Sequence, residues 1–220
     1  MKNNDSQPIT KEILIHINGK NIYGNLKIPK KAEGLVIFAH GSGSGRFSTR
    51  NNYVAGILNK NNLGTLLFDL LTAEEEKIDN YTAEYRFNIE LLANRLIDVT
   101  DWLVKEPSLK GLKLGYFGAS TGAAAALIAA AKRPSIIYAV VSRGGRPDLA
   151  MESLPEVKAP TLLIVGGNDF EVIELNRTAY KNIPAKKKLE IIPGATHLFE
   201  EPGALEEVAR LSAEWFLKYL

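Results

Sequence analysis

Residues 112–132 read LKLGYFGASTGAAAALIAAAK. The spacing predicts a buried strand, a sharp turn at Gly118-Ala119-Ser120-Thr121-Gly122, and a helix that starts at once. A G-x-S-x-G pattern in that setting lifts its serine hydroxyl above the end of the strand. The serine then takes a strained backbone conformation, at a cost of about 1–3 kcal/mol. The residues two before and two after it fall where strand and helix nearly touch, so glycine is needed at both. The alanines at 123–126 and 129–131 let the helix pack tightly on a sheet. A Gly/Ala-rich turn without chemistry is the competing reading. The strand before and the helix after are what favour the functional one.

Composition narrows the rest. The chain has 220 residues, 45% hydrophobic and 24% charged, which suits one globular domain spanning 1–220, with residues 1–10 expected to be flexible. A net charge of +2 is too small to suggest nucleic acid, and Lys186-Lys187-Lys188 reads as a solvated turn. The absence of cysteine excludes disulfides, thiolate metal sites and a cysteine nucleophile. The start, MKNNDSQPIT, lacks the apolar core of a signal peptide, so a cytoplasmic protein is expected. Residues 114–131 are uncharged and nearly long enough to span a membrane, but three glycines, a Ser-Thr pair and many alanines fit a buried strand-turn-helix instead.

Working outward, 11–18 and 21–28 alternate apolar and polar across Gly19-Lys20 and predict a hairpin, with His16 an ordinary strand residue. Continuous apolar runs at 35–39, 64–68, 136–141 and 161–165, with 188–192 last, predict strands, most of them buried on both faces. Helical spacing is expected over 51–60, 88–105, 171–182 and 206–220. Residues 70–86, carrying Glu74, Glu75 and Glu76, read as a long polar loop of the kind that forms lids or binding loops. Alternating strands and helices predict an α/β fold: a mostly parallel, doubly wound sheet with an N-terminal antiparallel hairpin and helices on both faces.

Ligands of such sheets bind beyond the carboxyl ends of the strands. Five loops meet there: 40–46, 69–86, the Ser120 turn, 142–148, and the pair bearing Asp169 and His197. The glycine-rich loop His40-Gly41-Ser42-Gly43-Ser44-Gly45-Arg46 has neither phosphate-binding fingerprint, which argues against a nucleotide cradle. A serine nucleophile needs a base, and of the three histidines His197 is the best placed. An imidazole in that role needs a carboxylate, and Asp169, directly after a strand, can supply it. Asp169 as a helix cap and His197 as a surface residue are the alternatives.

The chain order Ser120, Asp169, His197, together with VIFAHGSGSGR at 36–46, GYFGASTG at 115–122 and the segments 64–69, 166–169 and 194–197, resembles the α/β-hydrolases, in particular the dienelactone-hydrolase-like family. The resemblance spans residues 10–220. It implies the α/β-hydrolase fold, with Ser120 as nucleophile, His197 as base and Asp169 as orienting acid. It also implies an oxyanion hole from the backbone N–H groups of Ser42 and Thr121. In one respect the chain departs: dienelactone hydrolases carry cysteine where this chain has Ser120. The activity implied is hydrolysis of a small ester, lactone or related acyl compound, without metal or organic cofactor.

About a dozen residues separate Ser142 from Leu154, too few for a cap domain, so the site should be open. Candidate substrate-binding residues are Arg46, Tyr85, Arg143 and Arg146; the last two suit a substrate carboxylate, or pair with Asp148 or the Glu74–Glu76 run. A peptidase or acyltransferase on the same triad, and a non-catalytic binding protein of the same fold, are the rival functions. The expected partner is a small acyl substrate, not nucleic acid or membrane. The oligomeric state is open, a homodimer included.

Overall fold

In the computed structural model, which describes residues 7–220, the apolar runs become one eight-stranded sheet. β1 (Ile9–Ile17) and β2 (Lys20–Ile28) form the expected hairpin. Its turn, Asn18-Gly19, has positive φ at both residues, 49° and 72°. That is the chemistry a tight two-residue hairpin requires. Of the segment expected to be flexible, residues 1–6 lie outside the described residues, while Ile9 and Thr10 already belong to β1.

β2 pairs antiparallel with β4 (Gly64–Phe68). The remaining strands are parallel: β3 (Gly34–Ala39), β5 (Lys113–Ala119), β6 (Ile137–Arg143), β7 (Thr161–Gly166) and β8 (Lys187–Ile192). The order is β1-β2-β4-β3-β5-β6-β7-β8. The chain therefore winds one way from β3 to β4 and the other way from β5 to β8. The crevice at that reversal is where a parallel sheet offers its ligand site.

Period-two alternation explains the two-sided core. In β3, Leu35, Ile37 and Ala39 face one layer, and Val36 and Phe38 the other. The first layer receives α3 (Ile89–Lys105), α4 (Thr121–Lys132) and α5 (Phe170–Asn182). The second receives α1 (Thr49–Lys60) and α6 (Ala204–Tyr219). Between β6 and β7 the chain makes only a 3-10 stretch, Pro147–Glu156, so no cap covers the sheet. The apolar stretch 114–131 divides into β5 and α4, and no helix among the described residues is long and apolar enough to cross a membrane.

One expectation is overturned. The segment 70–86 is not an unstructured loop, because Ala73–Thr82 forms a helix, α2. A capping box starts it: Glu75 N–H donates to Thr72 Oγ1 at 3.1 Å, and Thr72 N–H donates to Glu75 Oε2 at 2.8 Å. The acidic run thus occupies the first turn, where carboxylates favour the helix dipole. Buried Glu75 also accepts from Arg95 Nη2 at 2.9 Å and pairs with Lys20.

This network carries a pH signature. Burial alone would push the Glu75 carboxyl up, but hydrogen bonds from Arg95, Lys20 and the Thr72 backbone together pull it down to about 2. A depressed carboxylate contributes stability above its unfolded pKa and loses it as pH falls toward the folded value. The unfolding midpoint should therefore drop between pH of about 5 and about 2. Glu75→Ala, which strands buried Arg95, should cost about 3 kcal/mol at neutral pH and flatten that drop. A wild-type acid limb unchanged in the variant would refute the assignment.

Candidate active site

The turn after β5 is as strained as its pattern requires. Ser120 has φ 50° and ψ −122°, in the region disfavoured for a residue with a Cβ. Backbone bonds over-determine it: Ser120 N–H donates to Arg143 O, while Ser120 O accepts from Ala123 and Arg146 N–H, each at 3.1 Å. The flanking glycines have no alternative. A Cβ on Gly118 would lie 2.4 Å from Ala123 Cα, and one on Gly122 would lie 2.2 Å from Ala39 O and 2.4 Å from His40 O. Backbone cannot retreat from such contacts without moving β3 or α4. Gly122→Ala should cost more than about 3 kcal/mol and lower the melting temperature by many degrees. An unshifted melting curve would contradict this packing.

Two further loops converge on the serine. Asp169 stands at the N-cap of α5, yet its side chain makes no capping bond. Its Oδ2 instead lies 2.6 Å from His197 Nδ1. His197 Nε2 lies 3.3 Å from Ser120 Oγ. A carboxylate can only accept, so Nδ1 carries the proton, and Nε2 is left to accept from the hydroxyl. The loops are fastened to each other: Asn168 N–H donates to Ala195 O and Asn168 Nδ2 to Gly194 O, both at 2.9 Å. A Cβ on Gly166 would lie 2.5 Å from Ala195 O, so the His197 loop rests directly on the end of β7. Glu201 closes that loop by accepting from Thr196 N–H at 3.0 Å and from Thr196 Oγ1 at 2.5 Å. The sequence carries no visible signal for Glu201.

The glycine-rich loop crosses above Ser120. A Cβ on Gly41 would sit 3.1 Å from Ser120 Cβ. Ser42 N–H donates to Thr121 Oγ1 at 3.0 Å, clipping the loop to the first turn of α4. His40 anchors its other end. The ring is buried, with Nε2 accepting from Leu70 N–H at 3.0 Å and Nδ1 donating to Gly41 O at 2.9 Å. Burial, the largest influence, lowers its pKa, which keeps it neutral in this bonding pattern. His16 pairs with Asn21 across the hairpin, away from the site.

The candidate substrate-binding residues fare differently. Arg46 directs Nη1 to Asp69 at 2.8 Å and Nη2 to Glu12 at 2.9 Å, and lies against the Phe47 and Tyr23 rings. Arg146 is bidentate to Asp148 at 2.9 and 2.8 Å, so its guanidinium is engaged within its own loop. The Tyr85 N–H donates to Asp79 in the turn after α2. A hollow beside the Gly41–Ser44 loop is lined by Leu70, Leu71, Leu92 and Arg86, and not by Tyr85, Ser120 or His197. Arg143 alone of these has no carboxylate. Among the described residues no cluster of histidine and acidic side chains is arranged to hold a metal ion.

Comparison with known proteins bears on the family and the fold. The model of the dienelactone hydrolase family matches residues 61–218. A crystal structure of a dienelactone hydrolase from Anabaena variabilis is 57% identical, with a TM-score of 0.96 over 98% of this chain and 100% of that one. A Mycobacterium tuberculosis protein that bears the name "Putative phosphoribosyl transferase" is 58% identical over 199 residues. That match takes in 90% of this chain but only 44% of the mycobacterial protein, so the chain spans less than half the length of this curated relative. The structure of Est1E from Butyrivibrio proteoclasticus, 18% identical with a TM-score of 0.79 over 94% of this chain and 98% of that one, shares the fold.

Proposed function

The chain belongs to the dienelactone hydrolase family, and from that premise we propose that it is a serine hydrolase, cleaving a small ester, lactone or related acyl substrate through an acyl-enzyme. One observation carries the proposal: the continuous chain of contacts from Ser120 Oγ through the His197 ring to Asp169 Oδ2. In this reading Ser120 Oγ attacks the acyl carbonyl carbon while His197 Nε2 takes its proton. The imidazolium then gives that proton to the leaving oxygen as the carbon–oxygen bond breaks. Water, deprotonated by His197, hydrolyses the acyl-enzyme and restores Ser120. Asp169 holds the ring tautomer and stabilises its charged form.

The backbone N–H groups of Ser42 and Thr121 are the proposed oxyanion donors. Ser42 N–H is held by a neutral hydroxyl until a charged oxygen, a stronger acceptor, forms beside it. The steps proposed use the three side chains, the two backbone N–H groups and water, and the open, cap-free sheet favours short, unencumbered substrates.

A fluorophosphonate probe tests the proposal. The wild type should be labelled stoichiometrically and Ser120→Ala should not. An unlabelled wild type would sink it. p-Nitrophenyl esters of increasing acyl length, run beside amides and lactones, then separate esterase from peptidase. The mycobacterial name describes proteins more than twice this length. This chain should leave a phosphoribosyl donor unconsumed.

A further inference from the structure

Arg143 is the exception among the arginines. Each of the others is paired with a carboxylate, including Arg95, which is 5% exposed and bound to Glu75. Arg143 is 8% exposed, and among the described residues it forms no ion pair. Its Nε and Nη1 are enclosed without a hydrogen-bond partner. A guanidinium withdrawn from water and left without an anion is costly, and it is retained where something supplies the missing charge.

Its surroundings add a second cation. Along β6, Ala139 and Val141 face the α1–α6 layer, so alternation turns Arg143 the same way. There it meets the field of Arg50, in the first turn of α1, a turn with no acidic residue. Arg50 spends Nη1 on Glu200 at 3.0 Å, while its Nε is also enclosed and unpartnered. Burial, then the Arg50 charge, pulls the Arg143 pKa down to about 10, which still leaves it protonated at neutral pH. Arg143 thus lies in the field of a second cation, and while Arg50 is partly offset by Glu200, Arg143 forms no ion pair among the described residues.

The backbone of Arg143 borders the reacting groups. Arg143 O accepts the Ser120 N–H at 3.1 Å. A Cβ on the next residue, Gly144, would lie 3.5 Å from His197 Cε1. We propose that Arg143 and Arg50 form a subsite for an oxyanion group, carboxylate or phosphate, of an acidic acyl substrate, an assignment that rests on Ser120 being the nucleophile. The same chemistry would hold a free anion of that class, and the test separates the two sources.

Turnover of mono-p-nitrophenyl succinate is compared with that of neutral p-nitrophenyl butyrate. Wild-type kcat/KM should favour the anionic ester by about 10-fold to 100-fold, the range of hydrogen bonds to a charged group. Arg143→Met should abolish that preference, chiefly through KM. Arg50→Gln should weaken it, and with a side chain 32% exposed this variant keeps the test open if Arg143→Met does not fold. In parallel, sodium succinate and inorganic phosphate are added to the wild type, to Ser120→Ala and to both arginine variants during thermal unfolding. A rise in melting temperature that the arginine variants lose supports the subsite. Joined to the ester preference it assigns the site to the substrate's own acid group, and without that preference to a free anion. Equal turnover of the two esters by wild type and variants, with no rise on adding either anion, would overturn the proposal, as would a rise indifferent to Arg143→Met. Failure of the serine-hydrolase reading shows elsewhere, as a wild type unlabelled by fluorophosphonate, and the melting measurements would still decide the anion site.

Discussion

Ser120→Ala should lower kcat for any ester the protein cleaves by about 10⁶, the scale on which a triad nucleophile is lost. The melting temperature should hardly move, since alanine inherits the same backbone strain. Ser120→Gly should be equally inactive yet more stable. Glycine accepts φ 50° and ψ −122° without penalty, which releases about 1–3 kcal/mol. It gives back about 0.5–1 kcal/mol through the freedom of the unfolded chain. For a chain of this length each kcal/mol shifts the midpoint by roughly 2–4 °C. The two variants together separate chemistry from strain: activity lost in both, stability gained in one. Residual activity within tenfold of wild type in Ser120→Ala would move the nucleophile elsewhere. A Ser120→Gly protein no more stable than Ser120→Ala would mean the turn stores no strain.

What the sequence makes legible follows from how local the causes are. The Ser120 turn announces itself because steric demands fix Gly118 and Gly122 within five residues of chain. Strands buried on both faces, such as Gly34–Ala39, read as unbroken apolar runs. Helix α2 escapes the same approach because AEEEKIDNYT has almost no apolar face, and its only local signal is the Thr72–Glu75 capping box. Its stability comes from Arg95, twenty positions on, and from Lys20 in the hairpin. The pairing of Arg46 with Asp69 and Glu12, and the isolation of Arg143, are set by elements far apart in the chain. Both arginines follow a buried strand, Arg143 at its last residue and Arg46 at the end of the loop beyond it, and only packing tells the engaged one from the unengaged one.

Asp169→Asn should reduce kcat by about 10⁴ while leaving the fold and KM nearly unchanged. The reason lies in which nitrogen holds the proton. With a carboxylate 2.6 Å away, Nδ1 must be the donor, and Nε2 faces Ser120 Oγ with a lone pair. An asparagine can turn its NH₂ group toward the ring, which favours the other tautomer and points a proton at the serine hydroxyl. The base is then filled before the reaction begins. The charge that would stabilise the imidazolium is lost as well. Since Asp169 makes no capping bond to α5, the substitution removes nothing the helix depends on, and the melting temperature should stay within a few degrees of wild type. Asp169→Ala sharpens the comparison, because it lacks the misplaced donor: if tautomer control outweighs charge, the alanine variant should be the more active of the two. Equal kcat in wild type and Asp169→Asn would show that His197 is oriented by its loop alone, and the Asp169 contact would then be structural.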